Sequence, residues 1–176
     1  SRERLSTVDI LINNAGIANS AALKAITLEL WNRTFAVNAT GTFLCTQAFV
    51  PGMVERGWGR VVNVASIAAR AGAAYIATYA ASKHAVLGFT RSVAAELAPT
   101  GGTVNAVCPG YVDTEMTRDS VARIVAKTGK TAEQACEAIL KTSPQHRLLE
   151  PEEVAYAVLT LCDPRSKGIN GQALVL

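Results

Sequence analysis

Four short runs in this chain are apolar almost without interruption: residues 8–13, 60–65, 103–108 and 172–176. None alternates strictly between apolar and polar. Such a run has no solvent-facing side, so it suits a strand buried on both faces of a parallel sheet. Parallel neighbours need long crossovers, and helical stretches lie between the runs. Residues 27–55 predict two helices, residues 77–98 one, and residues 131–141 and 151–162 one each. Thr131 with Gln134 matches a capping box, and Pro151 suits a first helical turn. Strand–helix–strand alternation predicts one α/β domain over residues 1–176, doubly wound, with a parallel sheet between two helical layers.

Residues 114–149 are the least strand-like part. They are polar and contain Gly129, Lys130 and Pro144. A long excursion after a strand's carboxyl end often covers a site, so this segment is expected to be a substrate-covering lid. The plain alternative is a surface excursion with helices and no role.

Composition excludes several classes. With 49% hydrophobic residues the chain is not disordered. Seventeen basic residues against fourteen acidic give +3, too weak and scattered for a nucleic-acid footprint. No apolar run reaches the roughly 18 residues of a membrane span. Residues 1–6 are too polar for a signal peptide. Cys45, Cys108, Cys136 and Cys162 form no CxxC, and only His84 and His146 are present. A disulfide framework or metal centre is not expected, and a reducing, cytoplasmic compartment is.

The helix at 77–98 carries a lysine where a core residue belongs. Tyr79, Lys83, Val86, Thr90, Val93 and Leu97 fall on one stripe, with Lys83 one turn after Tyr79. A lysine on a buried stripe is costly unless it is paired or reaches solvent. Beside a phenol, the cation would favour the phenolate and lower the tyrosine pKa from about 10, which suits a general acid/base. The opposite stripe, Ala81, Ala85, Gly88, Ser92 and Ala95, is small throughout. Val37, Gly41, Leu44 and Ala48 line a similar stripe earlier, with Phe43, Val50 and Val54 on another. Packing of these helices against a second copy predicts a homodimer or homotetramer; packing within one subunit is the alternative.

Five motifs stand in order along the chain. Asn13-Asn14-Ala15-Gly16 ends the first strand, and Asn38 lies in Val37-Asn38-Ala39-Thr40-Gly41. Ser66 ends the second strand, thirteen residues before the Tyr79-Ala80-Ala81-Ser82-Lys83 motif. Pro109-Gly110 follows the third strand, with Val112 and Thr114 just beyond. Singly each is weak. Together, in this strand context, they resemble the classical short-chain dehydrogenases/reductases, and the resemblance runs from Val8 to Leu176.

That resemblance implies a Rossmann-like fold and an NAD(P)-dependent oxidoreductase interconverting a secondary alcohol and a ketone. Tyr79 would be the acid/base on the substrate oxygen. Lys83 would lower its pKa and hydrogen-bond the nicotinamide ribose. Ser66 would donate to the substrate oxygen, and Asn38 would hold a water relaying protons from Lys83 to solvent. Asn13, Ala15 and Gly16 correspond to the stretch beside the adenosine, and Pro109, Gly110, Val112 and Thr114 to the turn at the carboxamide. Tyr75, one turn before Tyr79, is expected to line the substrate pocket, whereas His146 is expected at the surface or between subunits. The residues around 133–155 resemble members acting on 3-oxoacyl or 3-hydroxyacyl substrates.

The sequence departs from the family in one respect. Neither GxxxGxG nor GxGxxG occurs, so the loop that seats the pyrophosphate, and with it the first strands of the nucleotide-binding half, are missing. The chain therefore reads as the catalytic part of a longer polypeptide. The edge of the first strand should be exposed, stability poor and nucleotide binding weak, and NAD versus NADP stays open. The competing reading is a non-catalytic truncated module that oligomerises through its helices. An epimerase or dehydratase is disfavoured by the Asn-Asn-Ala-Gly run.

Overall fold

The computed structural model describes residues 7–176. Residues 1–6, whose polarity speaks against a signal peptide, lie outside the described residues. Four strands, β1 (Ile10–Asn13), β2 (Gly59–Val64), β3 (Gly102–Cys108) and β4 (Ala173–Val175), form one sheet in chain order. All neighbours are parallel, with Leu11 opposite Val61, Val61 opposite Val104 and Val107 opposite Leu174. The three-layer, doubly wound α/β reading therefore holds.

The lack of alternation in the strands has the expected cause. Successive residues Val61 and Val62 point to opposite faces, and both faces are covered. On one side Val61 and Val104 pack with Met53, Ala94 and Leu97. Ala106 and Cys108 extend that face with Val86 and Leu87. On the other side Val62 and Val107 meet Ala157, Val158, Leu161 and Cys162. Every residue of β3 is buried. The edge strand β1 is different: Ile10 and Ile12 are 43% and 46% exposed, as an edge without a neighbour predicts.

The first helical stretch divides as expected, into α1 (Leu28–Phe35) and α2 (Gly41–Glu55), joined by one π turn, Ala36–Thr40. Thr27 caps α1 by accepting the Leu30 N–H at 3.1 Å. The third helix, α3 (Ala77–Leu97), spans the predicted range. The next, α4 (Glu115–Thr128), was not expected as a separate helix. Its polar composition hid it, yet Val121, Ile124 and Val125 keep helical spacing and Gly129 ends it in the left-handed region at φ 68°. Then come α5 (Ala132–Leu140), whose Thr131–Gln134 capping box is present, and α6 (Pro151–Cys162), which starts on its proline.

The stretch between β3 and α6 leaves and rejoins the body at one place. Val112 and Leu149 form an isolated parallel bridge, where Leu149 N–H donates to Tyr111 O and Asp113 N–H to Leu149 O, both at 2.9 Å. From this stem α4 reaches across to the segment after β1, where Lys127 Nζ donates to the Ser20 carbonyl at 2.9 Å.

Candidate active site

A parallel sheet brings the carboxyl ends of its strands to one edge, so the segments after Asn13, Val64 and Cys108 converge there. Ser66 follows β2 in extended backbone and caps a short turn by accepting the Ala68 N–H at 3.1 Å. Its own proton stays available, and Ser66 stands close enough to the hydroxyl of Tyr79 to favour the phenolate. Tyr79 stands in the first turn of α3, with Lys83 one turn on and 5% exposed. The ammonium of Lys83 donates to the Val64 carbonyl at 2.8 Å and lies 5.9 Å from the Tyr79 ring centroid. Gly16 is brought against this group: a methyl there would lie 3.5 Å from Lys83 Nζ and 3.4 Å from Asn38 Oδ1.

The electrostatics differ from the expectation for Tyr79. Burial pushes its phenol above the ordinary value, the Ser66 hydroxyl works against this, and nearby Tyr111 adds to the rise. The expected lowering by Lys83 is not found: the ammonium faces the ring and spends its hydrogen bond on Val64. Lys83 is itself pushed down to about 8 by burial. An ammonium has three donors, and only one is engaged among the described residues. Two remain for a hydroxyl-rich ligand such as a ribose. Fit with a nicotinamide ribose is thus supported by the donor set, whereas the described residues contain no glycine-rich cradle for a pyrophosphate.

Asn38 sits in the π turn and is buried. Its Oδ1 accepts the Ile17 N–H at 2.9 Å, and its Nδ2 donates to Ile17 O at 3.0 Å and Ser82 Oγ at 2.9 Å. The side chain has no donor left for a water. Its main-chain carbonyl accepts from Thr42 Oγ1 at 2.9 Å. Asn13 turns inward, donating to Thr46 Oγ1 at 3.1 Å and Asn63 Oδ1 at 2.8 Å, so its amide knits β1 to β2 and α2. Asn63 continues that line to Thr90 Oγ1 on α3 at 2.8 Å.

Ala15 is exposed. Pro109 is buried, and its carbonyl accepts the Ile67 N–H at 2.9 Å. Gly110 N–H donates to Leu176 O at 3.2 Å. Val112 belongs to the bridge with Leu149, and Thr114 Oγ1 donates back to Val112 O at 3.3 Å. Tyr75 is 66% exposed and holds a left-handed backbone at φ 70°, its carbonyl taking the Ala21 N–H at 2.8 Å. A bulky residue there is strained, which the tie to the segment after β1 offsets. His146 is exposed and apart from the cluster. Two participants were missed by sequence reasoning. Ser82 hid in its motif as one more small residue, and Tyr111 follows Pro109-Gly110 where only the turn drew notice.

A parallel sheet with Ser66, Tyr79 and Lys83 gathered at its carboxyl edge defines an α/β protein with a serine–tyrosine–lysine cluster. The family model described as enoyl-(acyl carrier protein) reductase matches residues 1–176. The chain is 40% identical to the 3-oxoacyl-[acyl-carrier-protein] reductase of Synechocystis sp. over 171 residues, which is 97% of this chain and 64% of that protein. It is 37% identical to the D-beta-hydroxybutyrate dehydrogenase of Cupriavidus necator over 164 residues, 93% of this chain and 64% of that one. A crystal structure of F189W actinorhodin polyketide ketoreductase with NADPH superposes with a TM-score of 0.93 at 40% identity, covering 99% of this chain and 67% of that chain. The chain belongs to the short-chain dehydrogenases/reductases, a family of oxidoreductases. It spans about two thirds of the length of the curated relatives it matches.

Proposed function

We propose that the polypeptide containing this chain is an NAD(P)-dependent oxidoreductase that interconverts a ketone and a secondary alcohol. The observation that carries this is the gathering of Ser66, Tyr79 and the buried Lys83 at the carboxyl end of β2. A phenol held above its ordinary pKa stays protonated at neutral pH, so Tyr79 can donate its proton to the oxygen of a carbonyl as that oxygen gains charge. Ser66 donates a second hydrogen bond to the same oxygen, stabilising the charge that builds there. Lys83, with two donors free, holds the nicotinamide ribose and supports the lost proton's replacement. A relay water at Asn38 would donate to an oxygen of that residue, since both protons of its amide are engaged. The nicotinamide, when bound, supplies the hydride.

Gly16, Ala15 and the main chain at Asn13 face the adenosine side in this reading. Pro109, Gly110, Val112 and Thr114 take the carboxamide side. Tyr75 stands at the rim of the substrate pocket. Residues 114–149 are the lid, supported by the stem at Val112–Leu149 and the reach of Lys127 to Ser20. The ketoacyl and hydroxybutyrate relatives favour 3-oxoacyl or 3-hydroxyacyl substrates, and the NADPH of the actinorhodin ketoreductase structure keeps NADP in view beside NAD. The reading includes a homodimer or homotetramer. A hollow of about 250 Å³ lined by Phe43, Ala85 and Phe89 lies between α2 and α3, and Leu44 beside it is 53% exposed. Four free cysteines agree with a reducing cytoplasm. Among the described residues no helix is long and apolar enough to cross a membrane.

The test is a fluorescence titration with NADH and then NADPH, followed by reduction of ethyl acetoacetate under the preferred cofactor. Saturable binding with turnover supports the reading. Binding without turnover in the longest native polypeptide would favour the non-catalytic module.

A further inference from the structure

The hydroxyl of Ser82 stands at a junction that the proposed chemistry does not use. Ser82 is fully buried in the first turns of α3. Its proton goes to the carbonyl of Tyr79 at 2.7 Å, and its lone pair accepts Asn38 Nδ2 at 2.9 Å. Asn38 in turn grips both the N–H and the carbonyl of Ile17. Donors and acceptors are used in one sense only. Ser82 has a single proton, already committed, so Asn38 must donate, and its Oδ1 is left to accept from Ile17. This polarity also fixes which end of the Asn38 amide faces Ser82.

Tyr79 O is the acceptor that an α-helix assigns to the N–H of residue 83. Ser82 therefore grips the peptide group that spaces Tyr79 from Lys83. At its other end the chain of bonds reaches the segment after β1, where Gly16 lies against Lys83 Nζ. Two separate paths thus connect Ile17 and Gly16 to one helical turn: a contact at Lys83 and a bonded chain through Asn38 and Ser82. Asn38 itself lies within the π turn, a local widening of the kind that recurs at functional sites.

We propose that Ser82 is a positioning residue, holding the Tyr79–Lys83 turn in register with the segment after β1 through Asn38. Its effect on catalysis rests on the roles given above to Tyr79 and Lys83; the register itself does not. A serine in mid-helix that bonds a preceding carbonyl ordinarily does nothing for stability. Here the same hydroxyl carries a second, long-range bond, and burial leaves no water to replace it.

The experiment compares the wild-type polypeptide with Ser82→Ala, Ser82→Thr, Asn38→Ala and the Ser82→Ala/Asn38→Ala pair. Two readouts need no activity: the hydrogen-exchange rate of the Ile17 amide, and the carbonyl ¹³C resonance of Tyr79. In Ser82→Ala the Ile17 amide should exchange about tenfold faster or more, a local opening. The Tyr79 carbonyl resonance should move upfield for want of its second donor, and Ser82→Thr, which restores a hydroxyl, should return it. On the Tyr79 resonance, adding Asn38→Ala to Ser82→Ala should change little further, because Asn38 reaches that carbonyl only through Ser82. With ethyl acetoacetate as probe, kcat should fall about tenfold or more while KM stays within about twofold, since orientation and not binding is lost. An unchanged Ile17 amide and Tyr79 resonance in Ser82→Ala overturn the proposal, as do additive effects on that resonance in the pair. If the wild type reduces no carbonyl, the enzymatic reading fails, and the two spectroscopic readouts still decide the role of Ser82.

Discussion

The Lys83 ammonium lies 5.9 Å from the centroid of the Tyr79 ring, one helical turn earlier, and hydrogen-bonds Val64 instead of the phenol. The two groups therefore share a space without sharing a proton. With the phenol raised by burial, its protonated form is the resting one at neutral pH.

Tyr79→Phe removes that proton and little volume. In the active polypeptide, turnover should fall by about 10²–10⁴-fold, the usual loss for a general acid. Circular dichroism should be unchanged. Steady-state NADPH oxidation with a ketone checks this, and retained turnover removes Tyr79 from the acid/base role.

Lys83 gives a pH signature in stability. Its folded pKa is about 8 against an ordinary 10.5. Between these values the unfolded chain binds more protons, so the penalty of burying the charge is relieved as pH rises through the window. The penalty below pH 8 is on the order of 3 kcal/mol. Cys108 is raised by burial and acts in the opposite sense above its ordinary value. The difference between wild type and Lys83→Met isolates the lysine: the advantage of Met in urea unfolding should be large at pH 7 and vanish towards pH 11. A pH-independent difference would contradict the burial argument.

Asn63 joins Asn13 to Thr90 across two strands and a helix. Asn63→Ala takes one partner from each side, leaving Asn13 its bond to Thr46 and Thr90 its bond to the Val86 carbonyl, and should cost about 1–3 kcal/mol in all. Chemical unfolding measures it. A loss under about 0.5 kcal/mol would mean the network is not sustained in solution.

Lys127 is exposed, so Lys127→Ala should leave global stability within about 0.5 kcal/mol. Its effect should be local. Without the bond to Ser20, amides of 115–128 should exchange faster and trypsin should cut near Lys130 sooner. Identical exchange in the variant would show that α4 is held by its packing alone.

Gly101 tests the far end of the sheet. It has φ 77°, and a methyl there would collide with the Gly57 carbonyl oxygen. That obstacle is backbone and cannot turn aside. Gly101→Ala should therefore destabilise by at least about 1–3 kcal/mol, from overpacking and strain together, as read by thermal unfolding.

Strand positions and the parallel sheet were legible because an uninterrupted apolar run has one physical meaning here: two covered faces. The cluster of Ser66, Tyr79 and Lys83 was legible because motif order and strand ends jointly place it. The polar helix α4 was not, since its apolar spacing is sparse and the segment looked like a loop. The rise in the Tyr79 pKa escaped for a different reason. Sequence shows that a cation is near a phenol but not whether burial outweighs it. The inward bonds of the Asn13 and Asn38 amides were not legible either, since they are made to tertiary partners that lie far along the chain.

The bridge between Val112 and Leu149 ties together the two ends of the excursion that contains α4 and α5. What lies between them is tied to the body at that bridge and by the reach of Lys127 to Ser20, and the sheet does not register its length. A segment borrowed from a relative and inserted there would inherit the same anchorage. A change in the length of the excursion is thereby kept from the strands and from the side chains gathered at their carboxyl ends.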